Sequence, residues 1–507
     1  MADPYRAQWR TRVFTCASIL ALCSCATGGN LKPLSVLPDL GAIQVGTRTT
    51  QAALAGAATS STPAASDWWE RYGDTQLNQL LSHGLDDAPS MTLAAARIRR
   101  AQAEFGAVTA DNALQVTGSG KALEEHFPDH SIYSSQYAGK QGSEGTLSVD
   151  ARYRLDFWGK RREAAAAAGE REEIARAEAA DAKLLLQTAI IEAYINLDAV
   201  YKTRGIAASA LELRQETIAL LKIRAQAGLS TDLDAISARE ALTDTRSEVA
   251  HLDGEIGKRR NQIASLMGRD PAFGEQLARP NLTMIPDPAP LSTIPASLLG
   301  YRADVAVQRA TVEAAAHEIG VAKAAFYPDV DLTAFAGLQS LDLGYLLRPG
   351  SAALGIGPAI TLPIFDGGRL RSNLQGRDSE YDAAVSTYNS TIMNALQQVA
   401  DAVIALQTER TRALQSDEAL AHWQRVVNLQ KTREQQGLSS VMDLVASRLA
   451  MLLSERHATE AEAGIAIAQA NLVQSLGGAW RPAVLAPVRR AAPASALTFS
   501  QQSDYHD

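Results

Sequence analysis

Leu147-Ser148-Val149-Asp150-Ala151-Arg152-Tyr153-Arg154-Leu155-Asp156-Phe157 decides how the rest of the chain is read. In an extended chain, side chains alternate between two faces. Leu147, Val149, Ala151, Tyr153, Leu155 and Phe157 then share one wall. Ser148, Asp150, Arg152, Arg154 and Asp156 share the other. A strand that crosses a bilayer needs roughly 9–11 residues, whereas a soluble strand averages roughly 5–6. Strict alternation at that length fits a strand of a water-filled β-barrel. Taken alone, the stretch equally fits a long edge strand of a soluble sandwich.

A related pattern recurs near residues 352–365. Leu354, Ile356, Pro358, Ile360, Leu362 and Ile364 face one way there, and Gly355, Gly357, Ala359, Thr361 and Pro363 the other. Proline belongs at sheet edges, so Pro358 and Pro363 weaken this strand. The recurrence is part of a wider self-similarity. Residues 227–234 (Ala-Gly-Leu-Ser-Thr-Asp-Leu-Asp) match 436–443 (Gln-Gly-Leu-Ser-Ser-Val-Met-Asp). Arg224 pairs with Arg433, Arg239 with Arg448, Leu93 with Val305 and Arg97 with Arg309. A collinear series of this kind marks two tandem units. Each unit reads as helix, two strands, long helix, turn and helix. The first has helices at 91–113, 159–227 and 231–267, with strands at 114–127 and 142–157. The second has helices at 303–326, 368–436 and 441–476, with strands at 329–338 and 352–365. Val116 to Gly120 are poorly patterned, which leaves the start of the first strand open.

The long helices exceed any globular core, at ~1.5 Å per residue or roughly 100 Å each. Val385, Tyr388, Ile392, Leu396, Val399, Val403 and Leu406 recur every three or four residues, the seam of a coiled coil. Leu186, Ile190, Tyr194, Leu197 and Tyr201 do the same in the first unit. Four strands cannot close a sheet, and an open edge in lipid leaves backbone groups unpaired at several kcal/mol each. Strands from other copies must therefore complete the barrel; three copies or four both meet this requirement.

The N-terminus carries Arg6, Arg10 and Arg12 ahead of an apolar run at 13–22, the form of a secretory signal. Leu22-Cys23-Ser24-Cys25 is a lipobox-like end, and Cys25 follows the small residue that such a site prefers. An ordinary cleaved signal is the alternative. The segmentation expected is a signal peptide at 1–24, a lipidated tether at 25–65 and a first repeat at 66–280. An inter-repeat linker at 281–300, a second repeat at 301–480 and a tail at 481–507 follow. The net charge of −8 argues against a nucleic-acid surface. Phosphate-loop, dinucleotide and nucleophile-elbow patterns are absent, so no enzyme activity and no cofactor beyond the Cys25 lipid is expected. His126 and His130 lie between the first two strands at a four-residue spacing that suits a metal only on a helix, and no metal site is expected there.

The doubled unit resembles the TolC/OprM outer-membrane factor family, the exit ducts of tripartite efflux pumps. The lipobox and Asp67-Trp68-Trp69-Glu70-Arg71-Tyr72-Gly73-Asp74 are similar to its NodT-type lipoprotein branch. So are Phe326-Tyr327-Pro328, residues 362–369 (Leu-Pro-Ile-Phe-Asp-Gly-Gly-Arg) and residues 476–480 (Leu-Gly-Gly-Ala-Trp). The likeness runs from about 66 to 480. It departs at Ala113-Leu114-Gln115, which lacks the proline found in the second copy. The resemblance implies a mainly α protein with a transmembrane β-barrel: a homotrimer with a 12-stranded outer-membrane barrel continuous with a periplasmic α-helical tunnel. It implies a periplasmic adaptor and an inner-membrane efflux transporter as partners. Trp68 and Trp69 are expected to pack the N-terminal segment onto the equator of the helical barrel rather than to bind a ligand. It also places a gate at the periplasmic helix tips, turning at Gly228 and Gly437. Arg224, Asp232, Asp234, Arg239, Arg433, Asp443 and Arg448 are the gate candidates. Members of the family often carry aspartate where this chain has Val445, and Asp443 is the nearest acid. The plainer reading is that these are solvated charges near helix ends, with Asp232 and Asp234 favouring a helix start. The rival for the whole chain is a periplasmic coiled-coil adaptor or structural lipoprotein without a pore.

Overall fold

A computed structural model describes residues 33–35, 67–130, 136–283 and 302–478. The signal, Cys25, most of the tether, the linker from 284 and the tail lie outside them. A 3-10 turn, Trp68–Tyr72, leads into α1 (Thr75–Asp87) and α2 (Pro89–Ala110). Strands β1 (Gln115–His126) and β2 (Gln141–Leu155) follow, then α3 (Lys160–Gln226), α4 (Asp232–Leu266) and the short α5 (Pro271–Glu275). The second half runs α6 (Ala303–Ala324), β3 (Asp329–Ser340), β4 (Ala352–Thr361), α7 (Arg369–Gln435) and α8 (Val441–Ser475). Lengths match between the halves: α2 and α6 have 22 residues, α3 and α7 have 67, α4 and α8 have 35.

The four strands form one antiparallel sheet in the order β1-β2-β3-β4. Its register gives two unlike walls. Val149 stands opposite Gly118 and Ala336, and Ala336 opposite Leu354. Leu147, Val149, Tyr153, Leu332, Leu354, Ile356 and Ile360 on that wall are all exposed. The other wall carries Thr117, Ser119, Lys121, Ser148, Asp150, Arg152, Arg154, Asp331 and Thr333. Polar links cross it: Ser119 and Ser148 hydroxyls at 2.9 Å, Lys121 to Glu144 at 3.2 Å and Arg152 to Asp331 at 3.9 Å. Phe335 is the aromatic exception on this wall. Its ring lies over Gly355, where a Cβ would come within 2.6 Å of it. β1 and β4 are the outer strands, so Pro358 sits on an edge strand, where a missing N–H is tolerated.

Two expected strand ends are corrected. β2 stops at Leu155, and Phe157 lies in the bend that starts α3. β4 stops at Thr361, two residues before Pro363, so Leu362 and Ile364 lie beyond the strand. The start of the first strand, open in the sequence, is Gln115, which pairs with Arg152. At the strand–helix junction Trp158 stacks on Tyr327 at 4.8 Å between centroids and donates to the Pro328 carbonyl at 2.9 Å. Lys160 pairs with Asp329 at 2.8 Å across the same joint. These contacts tie the start of α3 to the start of β3.

The seams expected from spacing form the core. Val385, Tyr388, Ile392, Val399, Val403 and Leu406 are buried on α7. Leu186, Ile190, Tyr194 and Leu197 are buried on α3, with Tyr201 packed against them. Trp68 and Tyr72 join this second group, and Trp69 packs against it. Asp74 holds the arrangement together from within. It is buried, caps α1 through Gln76 and Leu77, and accepts from Tyr194 Oη at 2.9 Å and the Asn281 amide at 2.8 Å. Far up the chain, the amides of Leu34 and Ser35 donate to the Asp382 carboxylate of α7 at 3.0 and 2.8 Å. These bonds hold the Asp382 carboxyl below its usual range.

Candidate functional site

The far ends of the four long helices carry the gate candidates. Each hairpin turns on a glycine in the left-handed region: Gly228 at φ 68° and Gly437 at φ 73°. A Cβ there would meet no neighbour, so the positive φ itself is the constraint. Around each glycine the backbone closes in the same way. The Leu229 amide donates to the Arg224 carbonyl, and the Leu438 amide to the Arg433 carbonyl, both at 2.8 Å. The guanidinium then returns to the loop: Arg224 donates to the Leu229 carbonyl at 3.2 Å and Arg433 to the Leu438 carbonyl at 3.4 Å.

The next helix starts with a reciprocal cap in both cases. Thr231 Oγ1 accepts from the Asp234 amide, and the Asp234 carboxylate accepts from the Thr231 amide at 2.9 Å. Ser440 and Asp443 repeat this, with the Ser440 amide at 3.0 Å from the carboxylate. Such a box satisfies two backbone donors that a helix start leaves free. Hydrogen bonds from Thr231 lower the Asp234 pKa, and those from Ser440 lower that of Asp443. Both acids are therefore ionised and engaged at their own helix starts. Asp232 is exposed at the first position of α4, and the side chain of Arg239, one to two turns on, is exposed as well.

Val445, where the resemblance would put an acid, is buried. Arg448 stands one turn further along α8 and is half-buried. It lines a groove with Glu212 and Glu216 of α3, over an apolar floor that includes Leu213 and Met451. The sequence reading missed these two glutamates. Their four-residue spacing puts them on one helix face, and this was the signal available. Around the tips Ile223, Leu229, Leu233, Ile236 and Leu438 are exposed. Among the described residues, no group of three or more His, Cys, Asp or Glu gathers as a metal site, and no helix is long and apolar enough to cross a membrane.

Comparison with known proteins fits this geometry. A family model described as outer membrane efflux protein matches residues 80–269 and 294–478. The fusaric acid resistance protein FusA of Burkholderia cepacia is 32% identical over 358 residues, which cover 70% of this chain and 67% of that protein. The multidrug resistance outer membrane protein MdtP of Escherichia coli O6:H1 is 28% identical over 428 residues, covering 82% of this chain and 87% of that one. Among solved structures, the outer membrane protein VceC of Vibrio cholerae superposes with a TM-score of 0.76 at 31% identity, covering 82% of this chain and 100% of that one. The outer-membrane channel OprN superposes with a TM-score of 0.78 at 25% identity, covering 89% and 99%. With its two-walled sheet borne on paired rods, this chain belongs to the outer membrane efflux protein family and resides in the outer membrane.

Proposed function

We propose that three copies assemble into a passive exit duct, the outer-membrane part of a tripartite efflux system. Twelve strands close the barrel, and the twelve long helices continue it as a periplasmic tunnel. The observation that carries this reading is the sheet itself. It has one apolar and one polar wall, and among the described residues the outer edges of β1 and β4 pair with no other strand. An unpaired edge in lipid costs several kcal/mol per backbone group, and pairing β1 of one copy with β4 of the next removes that cost. Twelve strands also exceed the eight at which side chains fill a barrel, which leaves a wet bore.

The cargo class is drugs or other toxic small molecules, delivered by an inner-membrane transporter through a periplasmic adaptor. The exposed apolar residues at the tips supply a surface for such a partner. Gating occurs at those tips, through Arg224, Asp232, Asp234, Arg239, Arg433, Asp443 and Arg448. Cys25 carries the lipid. Nine residues separate it from Leu34, a reach of at most ~30 Å. Asp382, which holds Leu34, lies thirteen residues into α7, about 20 Å from the strand–helix junction. The tether can therefore touch the bilayer while it is held.

Unheated gel electrophoresis of the detergent-extracted protein should show a band at three times the mass of the chain that begins at Cys25, somewhat less than three times 54.0 kDa. Cells lacking the protein should accumulate a fluorescent amphiphile, and the wild-type chain should restore its export. Recovery in the aqueous periplasmic fraction without detergent would instead favour the adaptor reading.

A further inference from the structure

Strands β3 and β4 are joined by residues 341–351, Leu-Asp-Leu-Gly-Tyr-Leu-Leu-Arg-Pro-Gly-Ser. Antiparallel strands close with as few as two residues, so a connection of this length calls for a reason. The segment is built rather than slack. The Leu343 amide donates to the Ser143 hydroxyl of β2 at 3.1 Å, and the Gly344 amide to the Asp342 carboxylate at 2.8 Å. The Ser351 hydroxyl donates to the Tyr345 carbonyl at 2.7 Å. Leu343 and Leu346 lie over Gly145, where a Cβ would come within 2.7 and 2.9 Å of them. Residues 143 and 145 share a face of β2 with Leu147 and Val149, so the loop folds back over the apolar wall and not over the polar one. This leaves Leu347 78% and Tyr345 50% exposed. The Arg348 guanidinium lies over the Tyr345 ring, 4.3 Å from its centroid. Among the described residues no carboxylate pairs with Arg348, and the loop's own acid, Asp342, is engaged in its turn.

The height of the loop follows from the strand. From Leu155, where β2 ends beside the helices, back to Gly145 is ten steps of about 3.4 Å. At a tilt of about 40° they climb roughly 25 Å, the height of the apolar band of an outer-membrane barrel. The loop thus lies at the far border of that band, where acyl chains give way to headgroups. We propose that Leu347 and Tyr345 enter the acyl chains at this border and that Arg348 binds the phosphate of an outer-leaflet lipid headgroup. This rests on the barrel reading above and adds a lipid site to its rim. A guanidinium meets phosphate through two parallel hydrogen bonds, and the ring beneath fixes its direction. Tyrosine at the boundary keeps its ring in the apolar layer and its hydroxyl in the wet one.

The probe is diphosphoryl lipid A, titrated into the detergent-purified full-length protein, with retained lipid counted by native mass spectrometry. Its dephosphorylated form and inorganic phosphate serve as comparison ligands. Wild type should prefer the phosphorylated lipid. A basic side chain at an anionic lipid surface is worth about 5-fold in binding, so Arg348→Gln should lose that much and bring the two lipids level. Arg348→Lys should recover part of the preference, and Leu347→Gln should weaken both lipids alike. Equal retention of the two lipids by wild type, an unaltered preference in Arg348→Gln, or displacement of the lipid by an equal concentration of inorganic phosphate would overturn the site. So would loss of the trimer band in Leu347→Gln or Arg348→Gln on an unheated gel, which would make the loop a contact between copies. In all these cases a wild-type trimer band leaves the duct standing; a wild type without that band would remove the duct and the lipid site together.

Discussion

At the scale of single residues, the tip acids have a double character. Asp234 and Asp443 were singled out as gate charges, and the structure gives each a capping role at its own helix start. Replacing Ser440 by Ala removes one half of a cap and should cost about 1 kcal/mol of local stability, read as faster amide exchange in the first turn of α8. The pH dependence follows from the lowered pKa. The folded Asp443 carboxyl binds its proton less tightly than the unfolded one, whose ordinary value is 3.8. Its contribution is thus complete above that value and is lost as pH falls through the lower, folded one. Amide exchange at the start of α8 should be flat from pH 7 to about 5, once corrected for its intrinsic pH dependence, and should rise only in stronger acid. A rise beginning near neutrality would mean that another group controls this turn. Asp443 was legible as important from its place in the repeated motif, but its partner was not. A cap and an ion pair use the same residue type, and only geometry separates them.

At the scale of elements, alternation and periodicity told most of what the structure contains. Long helices and two-faced strands are set by patterns that repeat many times, so local noise averages out. Their ends are set by single events, and there the reading slipped. Phe157 and Ile364 continue the alternation past Leu155 and Thr361, where the strands stop. Helix α1 and the Trp68–Tyr72 turn were not foreseen as elements, because their hold on the body comes from Asp74 meeting Tyr194 and Asn281 far along the chain. The two walls of β2 make a sharp test. In the proposed barrel, Val149→Lys puts a charge on the lipid-facing wall and should destabilise the fold by about 2–4 kcal/mol. Ser148→Lys, one residue away on the polar wall, should change stability far less. Urea unfolding in liposomes distinguishes them, and equal losses would mean that the walls were assigned wrongly.

At the scale of the whole molecule, the matched lengths constrain how the tube can be altered. With 67 residues in both α3 and α7 and 35 in both α4 and α8, the two hairpins are equal in length. Deleting seven residues, about two turns, from α7 and α8 alone should leave ragged tips and abolish export while the barrel still inserts. The same deletion made in all four helices should retain assembly, as seen on an unheated gel. Nothing in local sequence announces this; it emerges only when both copies are laid side by side. The grip of Asp382 on Leu34 and Ser35 has a mechanical meaning as well. Without it, the first firm attachment after Cys25 among the described residues would be Trp68, after 43 residues and up to ~150 Å of chain. With it, a lipid on Cys25 of the proposed duct would hang on a leash of nine residues, and any pull on the helical rods would draw that leash taut almost at once, sharing the load between grease and strands.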